Sequence, residues 1–171
     1  MLTSAVGHGT RATIYLRRAA ASGAEAETVS VAAAVPSGHN QVLLLVEDDG
    51  LVRAFARQQV ESLGYRVIEA GNGPDALACL SVHPEIGLLF TDIVMRGGMS
   101  GQKLAEAAQA VRPGLPVLYT SGYTEDTEAR EGRLGPDVLF LSKPYLRSQL
   151  AEKLFQGFAQ LEAQCSESAQ R

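Results

Sequence analysis

The sequence predicts an α/β fold, with a doubly wound parallel sheet of five strands covered by helices on both faces. From residue 41 onward, short apolar runs alternate with segments whose apolar residues recur at helical spacing. Such alternation favours parallel strands joined by right-handed crossovers. In addition, 46% of the 171 residues are hydrophobic and 20% are charged, an ordinary globular composition with enough apolar surface for a core.

The predicted strands are short, apolar and bounded by turn residues, as is typical of strands covered on both faces. They span residues 42–46, 66–70, 86–91, 116–120 and 138–142. Charged residues follow three of them: Glu47 and Asp48 after the first, Asp92 after the third, and Lys143 after the fifth. A lone charge at the end of a buried strand is unfavourable, so each side chain should meet water, a metal or an opposite charge.

Helical periodicity separates the strands. The predicted helices span residues 51–63, 73–82, 100–111 and 146–161. Asn72 and Ser100 can accept hydrogen bonds from the first turns of the second and third helices. Residues 123–136 are polar and contain glycine and proline, so a fourth helix in that segment should be short.

The two ends of the chain differ from this pattern. Residues 7–10 (Gly-His-Gly-Thr) indicate a turn, and residues 11–16 then alternate polar and apolar side chains as a half-buried strand does. Residues 19–40 are rich in Ala, Ser, Gly and Glu, which favours a flexible linker. We therefore expect a terminal element at 1–18, a linker at 19–40, the α/β domain at 41–163 and a polar tail at 164–171.

The composition argues against several classes of protein. A net charge of −4 without a basic cluster disfavours a nucleic-acid-binding surface. No apolar run approaches the roughly 20 residues that a membrane span needs, and the N-terminus lacks the apolar core of a signal peptide. Cys79 and Cys165 lack metal-ligand or disulfide-framework spacing. We therefore expect a reducing, cytoplasmic setting and no membrane segment in this chain.

The charged strand ends predict one site. Strand order cannot be read from the sequence, but in the flavodoxin-like order 2-1-3-4-5 the first and third strands are neighbours. That order would place Glu47 and Asp48 beside Asp92. Two carboxylates ~4 Å apart repel by about 4 kcal/mol at an effective dielectric of roughly 20, so such a group suits a hard cation such as Mg²⁺. Lys143 and Ser121 would add the ammonium and hydroxyl groups that help a carboxylate nucleophile to accept a phosphoryl group.

Residues 41–161 resemble the receiver domain of two-component response regulators, in which these motifs occur in the same order. The resemblance implies that Asp92 is the phosphoacceptor. It also implies a set of Mg²⁺ ligands, namely Glu47, Asp48, Asp92 and the backbone carbonyl of Val94. Arg96 departs from the family pattern, which usually has proline at this position, and the loop beside the site should be looser for it.

The same resemblance covers the surroundings of the phosphoryl group. Ser121, followed by Gly122, corresponds to the hydroxyl that moves onto the phosphoryl group, and Lys143 to the basic residue that precedes a cis-proline. Phe140 corresponds to the aromatic switch position, although a plain core role remains open. Switching would alter the surface formed by the fourth helix, the fifth strand and the last helix.

The resemblance is strongest with receivers at the C-terminus of hybrid histidine kinases. Residues 91–95 and 120–123 have close counterparts there. Residues 4–10 and 14–16 resemble the closing hairpin of a histidine-kinase ATP-binding domain, with a chance glycine-rich turn as the alternative. Because the rest of that kinase domain is absent from this chain, no kinase activity is expected.

These observations predict the phosphoacceptor module of a phosphorelay, which takes its phosphoryl group from a histidine kinase or a histidine phosphotransfer protein. We expect slow dephosphorylation, because Val94 and Tyr123 could obstruct water, and a second copy of the chain is a possible partner. A phosphorylation-independent docking module remains an alternative. A phosphatase is disfavoured because Val94 stands where such enzymes use a second Asp, and DNA binding because only a short tail follows the last helix.

Overall fold

The computed structural model describes residues 2–5, 7, 9–15, 38–96, 98–122 and 138–168, with side chains up to residue 163. The chain divides into two compact units, Met1–Ala33 and Ala34–Arg171. The predicted fourth helix at 123–136 and the predicted linker as far as residue 37 lie outside the described residues.

The first unit contains a small antiparallel hairpin. Strand β1 spans Leu2–Ala5 and strand β2 spans Gly9–Ala12, and the Ser4 and Thr10 hydroxyl oxygens lie 2.9 Å apart across the pair. The prediction of a half-buried strand over residues 11–16 is wrong in its bounds, because β2 ends at Ala12 and the side chains of Ile14 and Tyr15 are exposed. The alternation of polar and apolar residues was therefore not enough to predict burial of Ile14 and Tyr15.

The second unit is built on a five-stranded parallel sheet. Its strands are β3 (Val42–Val46), β4 (Arg66–Ala70), β5 (Ile86–Asp92), β6 (Val117–Ser121) and β7 (Leu139–Ser142). Their order across the sheet is β4-β3-β5-β6-β7, and every neighbouring pair is parallel. The predicted flavodoxin-like order 2-1-3-4-5 is confirmed, and the order reverses between β3 and β5.

Four described helices connect or follow these strands. They are α1 (Gly50–Glu61), α2 (Gly73–Val82), α3 (Gly101–Val111) and α4 (Arg147–Ser168). The side chains of Asp49, Asn72 and Ser100 cap the first three by accepting hydrogen bonds from the first-turn amides, which satisfies donors that would otherwise lack partners. The helix α4 continues to Ser168, so it includes the first residues of the predicted polar tail at 164–171.

Two apolar clusters hold helices against opposite faces of the sheet. Along β3, Leu44 and Val46 pack on one face with α2 and α3, whereas Leu43 and Leu45 pack on the other with α1 and α4. Side chains that alternate between two covered faces explain why the central strands are apolar throughout. The prediction of helices on both faces is confirmed.

The domain begins before its predicted boundary at residue 41. Gly38 is buried, its amide donates to the Leu63 carbonyl at 2.9 Å, and the Asn40 amide donates to the Gly64 carbonyl at 3.0 Å. A Cβ atom on Gly38 would overlap the ring of Tyr65. The last residues of the predicted linker therefore belong to the α/β unit, where only glycine fits against the tyrosine.

No helix within the described part of the chain is both long enough and apolar enough to cross a membrane.

Candidate functional site

The carboxyl ends of the parallel strands bring the predicted residues to one edge of the sheet. Val46 pairs with Thr91, so Glu47 and Asp92 follow directly on adjacent strands. Asp92 pairs with Thr120 on the next strand, and Ser121 pairs with Ser142, which precedes Lys143. The register therefore carries four of the predicted groups to the point where strand order reverses, which is where open α/β sheets bind ligands.

Lys143 joins the two acidic strand ends. Its Nζ atom lies 2.7 Å from Asp92 Oδ2 and 2.8 Å from Glu47 Oε2. The three side chains are 23%, 14% and 7% exposed, respectively, so these ion pairs are largely shielded from water. Burial opposes the charge on Lys143, but the hydrogen bonds that it donates to Asp92 and Glu47 outweigh burial and raise the pKa of the ammonium group. Lys143 therefore stays charged and neutralises part of the acidic group.

Asp92 is oriented by its own loop. The Val94 amide donates to Asp92 Oδ1 at 3.0 Å, while Oδ2 accepts from Lys143. Because each carboxylate oxygen has two lone pairs, each retains one direction for a further partner. The same loop is also fixed by the Gly101 amide, which donates to the Ile93 carbonyl at 3.0 Å. Asp92 is thus held in one orientation, while each of its carboxylate oxygens keeps a lone pair that can react.

Asp48 is hydrogen-bonded by Arg96, a residue whose partner was not predicted from the sequence. The Arg96 amide and the Arg96 Nε atom each lie 3.1 Å from Asp48 Oδ2, and the guanidinium also lies 3.8 Å from Asp49 Oδ2. Partial burial opposes ionisation of Asp48, but the hydrogen bonds from Arg96 prevail and lower the pKa of the carboxyl group. Arg96 thus ties the loop after β5 to the turn after β3.

A second arginine also fixes this edge of the sheet. The guanidinium of Arg53 donates to the Glu47 carbonyl at 2.6 Å and lies 3.8 Å from the Glu69 carboxylate. Sequence reasoning missed Arg53. A cation in the first turn of a helix is unfavourable beside the positive end of the helix dipole, so its position indicated that it needs an acceptor.

Ser121 and Phe140, the two residues of the predicted switch, lie on the neighbouring strands β6 and β7. Ser121 is buried at the end of β6, and its carbonyl accepts from the Lys143 amide at 2.8 Å. Phe140 is half-buried and packs against the cluster on the α2 and α3 face. The peptide bond between Lys143 and Pro144 is cis, as the resemblance implied. Tyr123 lies outside the described residues.

The donor set suits Mg²⁺ in chemistry, although the acids do not form a ready-made cage. Within the described ranges, no three His, Cys, Asp or Glu side chains group closely enough to hold a metal ion. Glu47 is engaged by Lys143, and Asp48 by Arg96. Mg²⁺ commonly uses only one or two carboxylates together with waters and substrate phosphate oxygens. Asp48, Asp92 and the Val94 carbonyl are hard oxygen donors of that kind, so the residues fit the ion.

The site is open to solvent beside Asp48. A cleft of about 810 Å³ is lined by Asp48, Asp49 and Arg96 together with residues that surround the start of α2, among them Asn72 and Asp75. A small ion or solute can therefore reach this side of the site.

Comparison with known proteins identifies the family. Residues 43–155 match the family described as the response regulator receiver domain. The chain belongs to the response regulator receiver family. The resemblance that the sequence motifs carried is therefore confirmed.

Relatives of two architectures match the chain. The sensor kinase CckA of Brucella abortus is 32% identical over 155 residues, which cover 86% of this chain but 16% of that kinase. The response regulator receiver protein CpdR of Brucella abortus is 33% identical over 112 residues, which cover 66% of this chain and 92% of CpdR. The matched residues therefore cover nearly all of CpdR, but only a small part of the kinase.

Solved receiver structures share the fold. The receiver domain of the hybrid histidine kinase CckA matches with a TM-score of 0.57 and 32% identity, covering 68% of this chain and 98% of that domain. A response regulator receiver protein from Sinorhizobium medicae matches with a TM-score of 0.59 and 25% identity, covering 71% of this chain and 94% of that chain. The similarity to CckA agrees with the predicted resemblance to hybrid-kinase receivers.

Proposed function

We propose that this receiver accepts a phosphoryl group from a phosphohistidine on Asp92, with Mg²⁺ as its cofactor. The observation that supports this role best is the double hydrogen bond of Lys143 to Asp92 and Glu47, because it places a fixed ammonium beside a partly shielded carboxylate. A carboxylate with a neighbouring cation and a free lone pair is equipped to attack phosphorus.

The transfer begins at the unoccupied lone pair of an Asp92 carboxylate oxygen. That oxygen attacks phosphorus while the phosphorus–nitrogen bond of the phosphohistidine breaks, and the bonding electrons leave with the imidazole nitrogen. The other ring nitrogen of the phosphohistidine carries a proton, so the products are an aspartyl phosphate on this chain and a neutral imidazole on the donor. Lys143 moves its hydrogen bond from the carboxylate to a phosphoryl oxygen, where its charge offsets the charge gained.

Asp48, Asp92 and the carbonyl of Val94 would hold Mg²⁺. The carboxylate of Glu47, which lies beside Asp92, would contribute to the same site. When bound, the ion neutralises charge on the transferring phosphoryl group and helps to orient it. Glu47 also holds Lys143 in place, since its Oε2 atom accepts the second hydrogen bond of the ammonium.

The phosphoryl group would then be read by Ser121 and Phe140. Ser121 would donate to a phosphoryl oxygen, and its shift would leave room for Phe140 to turn inward from its half-buried position. Because both residues belong to neighbouring strands, this change would bias the surface of β7 and α4, together with the fourth helix predicted at 123–136.

The partners would be a histidine kinase or a histidine phosphotransfer protein. The alignment with CckA covers 86% of this chain, more than residues 43–155 alone, which supports a place within or beside a hybrid kinase. We propose that residues 1–18 derive from the end of a kinase ATP-binding domain. The chain itself would accept and slowly lose phosphate, without kinase activity of its own.

Labelling with acetyl phosphate and Mg²⁺ tests the assignment. Wild-type protein should gain one phosphoryl group by intact mass, Asp92→Asn should gain none, and Glu61→Gln, which removes one exposed carboxylate at the far end of α1, should label as wild type does. Labelling that persists in Asp92→Asn would show a different acceptor. A folded wild-type protein that is not labelled by acetyl phosphate or by any phosphohistidine donor would instead favour the phosphorylation-independent docking role.

A further inference from the structure

Arg96 donates hydrogen bonds to Asp48, a carboxylate that is expected to hold the metal. Its backbone amide and its Nε atom both lie 3.1 Å from a single oxygen, Asp48 Oδ2. A carboxylate oxygen has two lone pairs, so these two hydrogen bonds saturate Oδ2. A cation that approaches Asp48 must either use the remaining oxygen or displace Arg96.

The arrangement places an exposed cation on an acidic pair. The Arg96 side chain is 85% exposed, and the contacts that hold it across the site are those with Asp48 and Asp49. Asp48 itself is only 15% exposed. An exposed arginine held by two carboxylates can swing into solvent at little cost, whereas the carboxylates remain fixed by the sheet edge and the helix cap.

We propose that Arg96 is a built-in competitor of Mg²⁺: it neutralises Asp48 in the metal-free protein and is displaced when the ion binds. This inference rests on the proposed function, since it concerns the same metal site. Arg96 thereby raises the Mg²⁺ concentration at which the receiver becomes able to accept a phosphoryl group. It also keeps the loops after β3 and β5 together while the metal is absent.

The expected effect is modest because the ion pair is solvent-exposed. Exposed pairs of this kind contribute little each, and the Arg96 amide still donates when the side chain is changed. Removing the guanidinium should therefore tighten Mg²⁺ binding roughly two- to five-fold. Arg96→Pro, which also removes the amide donor, should tighten it further.

The first test measures Mg²⁺ affinity directly, without phosphorylation. The dissociation constant is obtained by following the amide resonances of Val94 and Asp48 during a Mg²⁺ titration of wild type, Arg96→Gln, Arg96→Lys and Arg66→Gln. Arg66 begins β4 at the opposite edge of the sheet, so Arg66→Gln makes the same change in net charge away from the site. Tighter binding in Arg96→Gln, with near-wild-type binding in Arg96→Lys and Arg66→Gln, supports the inference.

The second test uses the reciprocity of coupled binding. If Arg96 weakens Mg²⁺ binding by a given free energy, bound Mg²⁺ must lower the contribution of Arg96 to the free energy of unfolding by the same amount. Without Mg²⁺, wild type should therefore melt at a higher temperature than Arg96→Gln. At saturating Mg²⁺ the gap should close, because both proteins then hold the ion and Arg96 is released.

The outcomes separate this inference from the proposed function. Equal Mg²⁺ affinities in wild type and Arg96→Gln, or a melting gap that Mg²⁺ leaves unchanged, overturn the role of Arg96 while the metal site stands. If neither protein binds Mg²⁺ at tens of millimolar, the metal site itself fails and the inference falls with it. Arg96→Pro gives an independent reading, since looser binding in that variant also contradicts competition.

Discussion

Lys143 donates to Asp92 Oδ2 at 2.7 Å and so places a positive charge against this carboxylate at the edge of a buried sheet. The same ammonium contacts Glu47 at 2.8 Å. A lone strand-end carboxylate would be unfavourable, and here two carboxylates share one cation. The electrostatics of the site in the absence of metal therefore depends on Lys143.

Lys143→Met should lower the free energy of unfolding by about 2 to 4 kcal/mol at neutral pH, since it leaves two shielded carboxylates without their partner. Urea denaturation of wild type and variant measures the change. Combining it with Asp92→Asn should recover part of the loss, because one of the repelling charges is gone. Lys103→Met, an exposed lysine on α3, is the matched control and should change stability by under ~0.5 kcal/mol. An equal effect of both lysines would contradict the role of the ion pairs.

Gly101, the first residue of α3, packs against the backbone of Asp92, the proposed phosphoacceptor. A Cβ atom at this position would overlap the Asp92 carbonyl and crowd the Thr91 side chain. Gly101→Ala should therefore lower the free energy of unfolding by about 1 to 3 kcal/mol and shift the amide resonance of Val94, which reports on the Asp92 carboxylate. Gly50→Ala, at the open start of α1, is the control and should be neutral or stabilising. If Gly101→Ala leaves both readouts unchanged, α3 does not position the loop.

Much of the site could be predicted because its residues follow strands directly. Once the strand order is fixed, Glu47, Asp92 and Lys143 must meet at the carboxyl edge, whatever the loops do. The partner of Asp48 could not be predicted, since the position of Arg96 depends on how a loop crosses between two turns. Side chains on loops are set by tertiary contacts that local patterns do not encode.

The misplaced boundaries have a similar origin. Gly38 belongs to the α/β unit because its backbone fits against Tyr65, a contact between residues 27 positions apart that composition cannot reveal. The helix α4 continues past residue 163 although its sequence there is polar, because helix propagation needs only one further hydrogen bond per residue. In both cases backbone interactions outweighed the polar character of the segment.

Val94 should control how long the phosphoryl group survives on Asp92. Its amide donates to the carboxylate while its side chain is 64% exposed, so an apolar group stands beside the approach to the acyl phosphate. We expect the wild-type phosphorylated form to decay over minutes or longer, and Val94→Asn to decay several-fold faster, because a polar side chain can admit and orient water. Decay is measured by intact mass after removal of acetyl phosphate. Val82→Ala, an exposed valine at the end of α2, is the control, and loss within seconds in the wild type would contradict the expectation.

Tyr119 should make the fold sensitive to alkaline pH. It is buried in the cluster on the α2 and α3 face, and burial, with a smaller effect of Glu106, raises the pKa of its hydroxyl to about 12. The unfolded chain releases this proton near pH 10, so the folded state holds more protons between the two values and its stability falls as pH rises through that window.

At pH 11 this linkage removes about 1.4 kcal/mol relative to pH 8, and the loss approaches about 2 to 3 kcal/mol beyond pH 12. Tyr119→Phe cannot ionise at this position, so the unfolding free energy of wild type, measured in urea from pH 8 to pH 11, should fall relative to that of the variant by that amount as pH rises. Tyr15→Phe provides the control, because Tyr15 is 84% exposed and its removal should leave the pH dependence of wild type unchanged. A constant difference between wild type and Tyr119→Phe across this range would show that the hydroxyl ionises in the folded protein as readily as in the unfolded chain, so that burial does not protect it.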